Sequence, residues 1–232
     1  MKSLNHSILC HIFMPYYIFK DGIDRNLSVG KLVCLARTYK KHADEMKSKV
    51  PKEPLLFLKP ASSVIFNGAS IVFPEMSKCL HHEVELGVVI GKKCKNITRD
   101  RALDYILGYC VCLDITARDI QSVAKKNGWP WSIAKGFDTF APVSDVVLKK
   151  EIINPNNLDI WLKVNGEVRQ RSNTRNMVFS VEETLEFISS IMTLEPGDLI
   201  MTGTPEGVDE IQKGDVLEAS LNDICFLKVD VQ

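Results

Sequence analysis

Two glutamates set two residues apart in an apolar run are the most chemically pointed feature of this 232-residue chain. In His81-His82-Glu83-Val84-Glu85-Leu86-Gly87-Val88-Val89-Ile90-Gly91 acids alternate with apolar residues and the run stops at a glycine, which is the pattern of a β-strand. Strand side chains repeat every two residues, so Glu83 and Glu85 project from one face. Carboxylates that close repel, and a divalent cation offsets the repulsion. Hard ions such as Mg²⁺ or Mn²⁺ take oxygen ligands, usually with a further acid. Asp114, closing the apolar run Gly108-Tyr109-Cys110-Val111-Cys112-Leu113, is the candidate third ligand. A solvent-facing pair on an edge strand near Lys92 or Lys93 would show the same spacing, so both readings stay open on the pattern alone.

A second candidate pair is His42 and Glu45. Arg37 to Met46 reads as a helix with Thr38 as its N-cap, and three-residue spacing puts the two side chains on one face. A histidine oriented by a carboxylate is a general-base pair, although a solvated helix face gives the same sequence. The polar, proline-bearing stretch 48–54 would let that helix move as a lid. Ile115 to Lys126 also reads as helical, with Thr116 and Asp119 at its start and with Arg118 and Gln121 three apart, facing back towards Asp114. In Trp129-Pro130-Trp131-Ser132-Ile133-Ala134-Lys135, the lysine is either a surface group beside core aromatics or a cation kept partly dry to meet an anion. Finally, Thr202-Gly203-Thr204-Pro205-Glu206-Gly207-Val208 follows an apolar strand and can bring N–H groups and hydroxyls to an oxyanion. It lacks the lysine of a phosphate-binding P-loop.

The elements that must position these groups are short. Strands are expected at Lys31–Ala36, Leu55–Lys59, the acidic run, Tyr105–Asp114, Leu158–Val164, Leu199–Met201, Leu217–Leu221 and Cys225–Val231, with a hairpin turn at Asn165-Gly166. The longest helix is expected over Met177–Met192, with Ser180 as N-cap and Glu183 three residues on. Many strands and little helix favour an α+β, β-rich fold over βαβ repeats. At 45% apolar and 25% charged, the chain suits one large domain from residue 29 to 232 behind an N-terminal extension of residues 1–28, the first thirteen being read as dispensable. Twenty-nine basic and 29 acidic residues balance without a long run of one sign, which argues against a nucleic-acid partner. Seven scattered cysteines without CxxC pairs, and no apolar stretch of membrane-span length, point to a reducing compartment and no membrane partner. The expected location is cytoplasmic.

Five landmarks occur in order: Phe57-Leu58-Lys59-Pro60, His82-Glu83-Val84-Glu85-Leu86, Asp114-Ile115-Thr116-Ala117-Arg118-Asp119, Ala134-Lys135-Gly136-Phe137-Asp138 with Pro142, and Thr202-Gly203-Thr204-Pro205-Glu206-Gly207-Val208. Together they resemble the fumarylacetoacetate hydrolase family, in its short single-domain branch, from Lys31 to the C-terminus. The resemblance implies a mixed β-sandwich roll with short flanking helices, paired as a homodimer. It implies Glu83, Glu85 and Asp114 as Mg²⁺ ligands (Mn²⁺ as substitute). Arg118, Gln121, Lys135 and Thr204 would contact the carboxylate and keto oxygens of a small 2-oxo acid, and His42 with Glu45 would be a catalytic dyad on a lid. Ala36-Arg37-Thr38-Tyr39 departs from the Gly-Arg-Asn-Tyr common in relatives. The implied activity is Mg²⁺-dependent C–C cleavage of short 3-acylpyruvates, or decarboxylation of oxaloacetate, with Lys135 helping to stabilise an enolate. The alternatives are an isomerase or tautomerase of 2-hydroxy-dienoates or oxaloacetate, and a binding protein that keeps the site without chemistry.

Overall fold

Along the strand Val84–Ile90, Leu86, Val88 and Ile90 enter one hydrophobic cluster and Val89 enters another. The strand Ile106–Leu113 divides in the same way: Tyr109, Val111 and Leu113 go to the first cluster, Cys110 and Cys112 to the second. Strands apolar on both sides require cover on both faces of their sheet. The computed structural model, which describes residues 15–45 and 49–232, shows what that cover is.

The central sheet has eight strands. Its order runs Leu55–Lys59, Leu32–Ala36, Leu199–Met201, Val84–Ile90, Ile106–Leu113, Ala141–Val143 and Val64–Phe66, with Val147–Leu148 pairing off the path onto Ile106–Leu113. A five-stranded sheet (Glu167–Asn173, Asp159–Val164, Val216–Leu221, Cys225–Val231, Ser70–Ile71) contributes Ile160, Leu162, Leu217, Leu227 and Val229 to the first cluster. Tyr17, Phe19 and Val29 enter the second cluster, and the Tyr17 hydroxyl donates to the Gly197 carbonyl at 3.0 Å. A small third sheet joins Glu210–Ile211, Leu80–His81 and Thr116–Ala117. Parallel and antiparallel pairings mix: Leu32–Ala36 runs parallel to Leu199–Met201 and antiparallel to Leu55–Lys59. This is the β-rich architecture that the strand pattern predicts, with the mixed strands and short flanking helices that the family resemblance implies.

Several local expectations hold in detail. Ser180 caps the helix Val181–Ile191 in a capping box with Glu183, so the helix begins four residues later than Met177. Asn165 and Gly166 both have positive φ, 51° and 82°, as a two-residue hairpin of this twist requires. Two capping expectations fail. The first helix, Lys40–Glu45 among the described residues, begins at Lys40, and the Thr38 hydroxyl donates to the Thr202 carbonyl at 2.7 Å instead of capping it. The next begins at Arg118, since Thr116 and Ala117 are drawn into the third sheet, and no side chain caps it. The segment read as dispensable, residues 1–13, lies outside the described residues, as do Met46 and Ser48 at the proposed lid. Among the described residues no helix is long and apolar enough to cross a membrane.

Candidate active site with a carboxylate triad

Register brings the three acids together. Val84 pairs with Leu113 and Glu85 with Cys112 across the antiparallel ladder. The Asp114 amide then donates to the Glu83 carbonyl at 2.8 Å, so Asp114 ends up across from Glu83. Glu83, Glu85 and Asp114 are all buried, and each offers a ligand atom within 4.8 Å of the others. The edge-strand alternative is therefore wrong: the acidic strand is interior, and its carboxylates face into the protein.

Two cations and a backbone N–H come from three other elements. Lys135, from the short helix Ser132–Lys135, is only 2% exposed. Its Nζ donates to Glu83 Oε2 at 3.0 Å, to Thr116 Oγ1 at 2.6 Å and to Asp114 Oδ2. This is the dry lysine of the sequence reading rather than the surface one, although Trp129 beside it is exposed. Arg118, the first residue of its helix, reaches Glu83 Oε1 and donates to Gln121 Oε1 at 2.7 Å. The glycine–threonine loop supplies one N–H: Gly203 donates to Glu85 Oε2 at 2.8 Å. Gly203 has φ +93°, and a Cβ there would collide with the Thr38 hydroxyl, so glycine is needed for this approach.

The electrostatics fit a divalent cation. Burial, then repulsion from Asp114 and Glu83, push the Glu85 carboxyl well above its ordinary range against the Gly203 N–H and the charge of Lys135. Burial would raise Glu83 too, but Lys135 and Arg118 outweigh it and hold it low. Burial would lower Lys135, but Asp114 and Glu83 outweigh it and hold it high. One acid of the triad is thus left short of positive charge among oxygen donors that suit Mg²⁺ or Mn²⁺. A carboxyl raised on folding stabilises the metal-free fold below its ordinary value of 4.5, and that contribution is lost as pH rises through the raised value. The gain in Tm on adding saturating Mg²⁺ should therefore grow over the pH interval above that ordinary value. A gain that shrinks over that interval would contradict the charge reading. Glu83→Gln and Asp114→Asn should both weaken Mg²⁺ binding in calorimetry.

The remaining sequence candidates line the same cavity. It has a volume of about 250 Å³, and His42, Arg118, Gln121, Lys135 and Thr204 all contribute to its wall. His42 Nδ1 lies 3.2 Å from Glu45 Oε2. A carboxylate can only accept, so Nδ1 carries the proton and Nε2 is left basic. Glu45 also accepts from the Gly207 N–H at 3.2 Å, which ties the helix to the glycine–threonine loop.

Two groups beneath the site escaped the sequence reading. Lys59, at the end of an apolar strand, has a fully buried side chain and donates to Asp114 Oδ1 at 2.6 Å and to the Ile115 carbonyl at 3.1 Å. Its only signal was a lysine where the strand pattern turns inward before Pro60. Gln170 Oε1 accepts from the Val84 amide and from His82 Nδ1, both at 3.0 Å, while its Nε2 donates to Thr204 Oγ1 at 2.9 Å. It clamps the acidic strand to the loop, and no local pattern announces it. Lys59→Met should destabilise the protein by about 3–5 kcal/mol in urea titration, because Asp114 loses a buried partner. A loss under about 1 kcal/mol would mean that Lys135 alone suffices.

Comparison with known proteins agrees with this architecture. The family model described as fumarylacetoacetate (FAA) hydrolase, C-terminal, matches residues 31–232, and the chain belongs to that family. It is 48% identical over 215 residues to a mitochondrial oxaloacetate tautomerase of Arabidopsis thaliana, covering 93% of each chain. To the mitochondrial oxaloacetate tautomerase of Homo sapiens it is 45% identical over 201 residues, covering 87% of this chain and 91% of that one. Among solved structures, the fumarylpyruvate hydrolase of Pseudomonas aeruginosa in complex with Mn²⁺ and pyruvate superposes with a TM-score of 0.90 at 34% identity, covering 95% of this chain and 98% of that one.

Proposed function

We propose that this chain is a divalent-cation-dependent enzyme that enolises a short 2-oxo dicarboxylate, with oxaloacetate as the simplest such substrate. The observation that carries the reading is that Glu83 and Glu85 of the carboxylate triad, Lys135 and His42 line one small cavity, with Asp114 completing the triad and Glu45 bonded to His42. The named relatives at 45–48% identity point to the same reaction. A Mg²⁺ or Mn²⁺ ion held by Glu83, Glu85 and Asp114 would supply positive charge where the enolate's negative charge develops. Arg118, Gln121 and Thr204 offer donors for the substrate's carboxylate and keto oxygens, and the Lys135 ammonium adds fixed positive charge at the floor. His42 Nε2 takes the proton from C3 while the C–H electron pair moves into the C2–C3 bond and the C2–O π pair moves onto the keto oxygen; that oxygen then takes a proton from water, and the imidazolium returns its own to solvent. Glu45 holds the imidazole in the tautomer that leaves Nε2 basic and stabilises the imidazolium that forms.

The dyad also supports a second reading, hydrolysis of a short 3-acylpyruvate. His42 would then deprotonate water, hydroxide would add to C4, and the C3–C4 bond would break with its electron pair passing to the enolate of pyruvate. Oxaloacetate decarboxylation would pass through the same enolate without an attacking water. A homodimer and a cytoplasmic location belong to the proposal as well. Light scattering should give twice the 26.1 kDa chain mass.

Oxaloacetate enol–keto exchange, followed by enol absorbance with Mg²⁺ and with EDTA, tests the main reading. Pyruvate release from acetylpyruvate, fumarylpyruvate and oxaloacetate is measured in parallel. Faster exchange with Mg²⁺ and little pyruvate supports enolisation. Exchange no faster than in buffer sinks it, pyruvate release from an acylpyruvate as the main reaction hands priority to hydrolysis, and full activity in EDTA after metal stripping removes the cation from the account.

A further inference from the structure

The inner cations of the site are already engaged by its acids. Glu83, Glu85 and Asp114 face Lys59, Lys135 and Arg118, each of which is paired with at least one of those acids. Two further cations line the same cavity without belonging to that set, Arg37 and Lys125. Neither has a carboxylate partner among the described residues. Lys41, on the first helix, does have one, with Nζ 3.4 Å from Glu206. Lys125 is instead held by an aromatic face, its Nζ 5.3 Å from the centre of the Trp131 ring, which in turn packs against Phe57.

The backbone at Arg37 adds an independent observation. Its φ is +61°, a left-handed conformation that costs a long side chain on the order of 1–3 kcal/mol and persists only where the surroundings impose it. That conformation stands between the strand Leu32–Ala36 and the helix Lys40–Glu45, where the chain forms the cavity wall.

We propose that Arg37 and Lys125 form a second anion position in this cavity, one that selects substrates carrying another carboxylate beyond the 2-oxo acid group. The inference rests on the proposed 2-oxo acid chemistry for the orientation of the substrate. With Lys59, Lys135 and Arg118 engaged by the triad and a divalent cation taking up the 2-oxo acid end, the remaining positive charge of the cavity lies at these two side chains. A substrate ending in a methyl group would leave both unpaired. One ending in a carboxylate gives them the partner the protein itself omits, through charge-assisted hydrogen bonds. The electrostatics of Lys125 agree: partial burial, then repulsion from Arg118 and more weakly from Arg37, bring its pKa down to about 8 against the pull of Glu83. An arriving carboxylate relieves that repulsion.

The test uses two stable 2-hydroxy acids that do not enolise. Malate carries a distal carboxylate, and 2-hydroxybutyrate carries a methyl group in its place. Calorimetric affinities are measured on the Mg²⁺-loaded protein for wild type, Arg37→Gly, Lys125→Gln and the double variant. Glycine accepts the left-handed conformation, so Arg37→Gly removes the cation without straining the fold. Wild type should prefer malate by about 10–100-fold, the scale of one or two hydrogen bonds to a charged group. The double variant should lose most of that preference, and each single variant part of it. Equal affinities in wild type, no binding of malate, or an undiminished preference in the double variant would overturn the proposal. Malate selectivity in a protein that fails to enolise oxaloacetate would leave the anion position standing and remove the proposed chemistry instead.

Discussion

Lys135→Met is expected to lower kcat for oxaloacetate enol–keto exchange by about 10²–10³-fold, the usual cost of removing one preorganised stabiliser of a developing oxyanion. Methionine nearly matches the stem in length and fills the space, so the loss isolates the ammonium. That ammonium touches Glu83, Asp114 and Thr116 at once, and burial keeps the field it creates from being screened by water. Stability should fall as well, by about 3–5 kcal/mol without metal, because two buried carboxylates lose a partner. Saturating Mg²⁺ should return part of that stability while leaving the rate low, since a cation can take over repulsion between the acids without replacing a donor at the Lys135 position. The pairing of a restored Tm with an unrestored kcat distinguishes a catalytic lysine from a structural one. If kcat stays within about threefold of wild type once metal is saturating, Lys135 serves only to hold the triad.

His42→Ala should be comparably severe, with an effect that depends on the reaction. Acylpyruvate hydrolysis needs an activated water, and loss of the base should cost about 10²–10⁴-fold in kcat, near the upper end for His42→Ala and lower for Glu45→Gln. Enol–keto exchange moves an already acidic proton, so His42→Ala should fall towards the lower end of that range and recover in part with added imidazole. KM should change little in either variant, because Arg118, Gln121 and the metal-binding acids are untouched. Glu45→Gln keeps a hydrogen-bond acceptor for Nδ1 and for the Gly207 N–H, so it tests charge more than position. Should both variants retain activity within about threefold on every substrate, the pair serves only to tie the helix Lys40–Glu45 to the glycine–threonine loop.

Much of the site was legible before any coordinates. The two-residue spacing of Glu83 and Glu85 and the apolar run ending at Asp114 are set by strand periodicity, which survives folding because both strands are interior and their register is held by apolar faces on both sides. The three-residue spacing of His42 and Glu45, and of Arg118 and Gln121, is equally a property of one helix, and both pairs touch. The capping box at Ser180 and the hairpin at Asn165-Gly166 are local in the same sense.

What the tertiary structure decided is where polar groups from distant segments spend their hydrogen bonds. Thr38 and Thr116 look like caps in sequence, but their hydroxyls are taken by Thr202 and by Lys135 with Asp114. Lys59 meets Asp114 across 55 residues, and Gln170 reaches Val84 across 86. Such contacts carry no periodic signal, because they depend on which strands neighbour each other in the sheets and how the loops cross above them. The same holds for the charge count of the cavity. Acids and cations from five segments meet at the triad, while Arg37 and Lys125 in the cavity wall have no carboxylate partner among the described residues, a result of packing that no window along the chain contains.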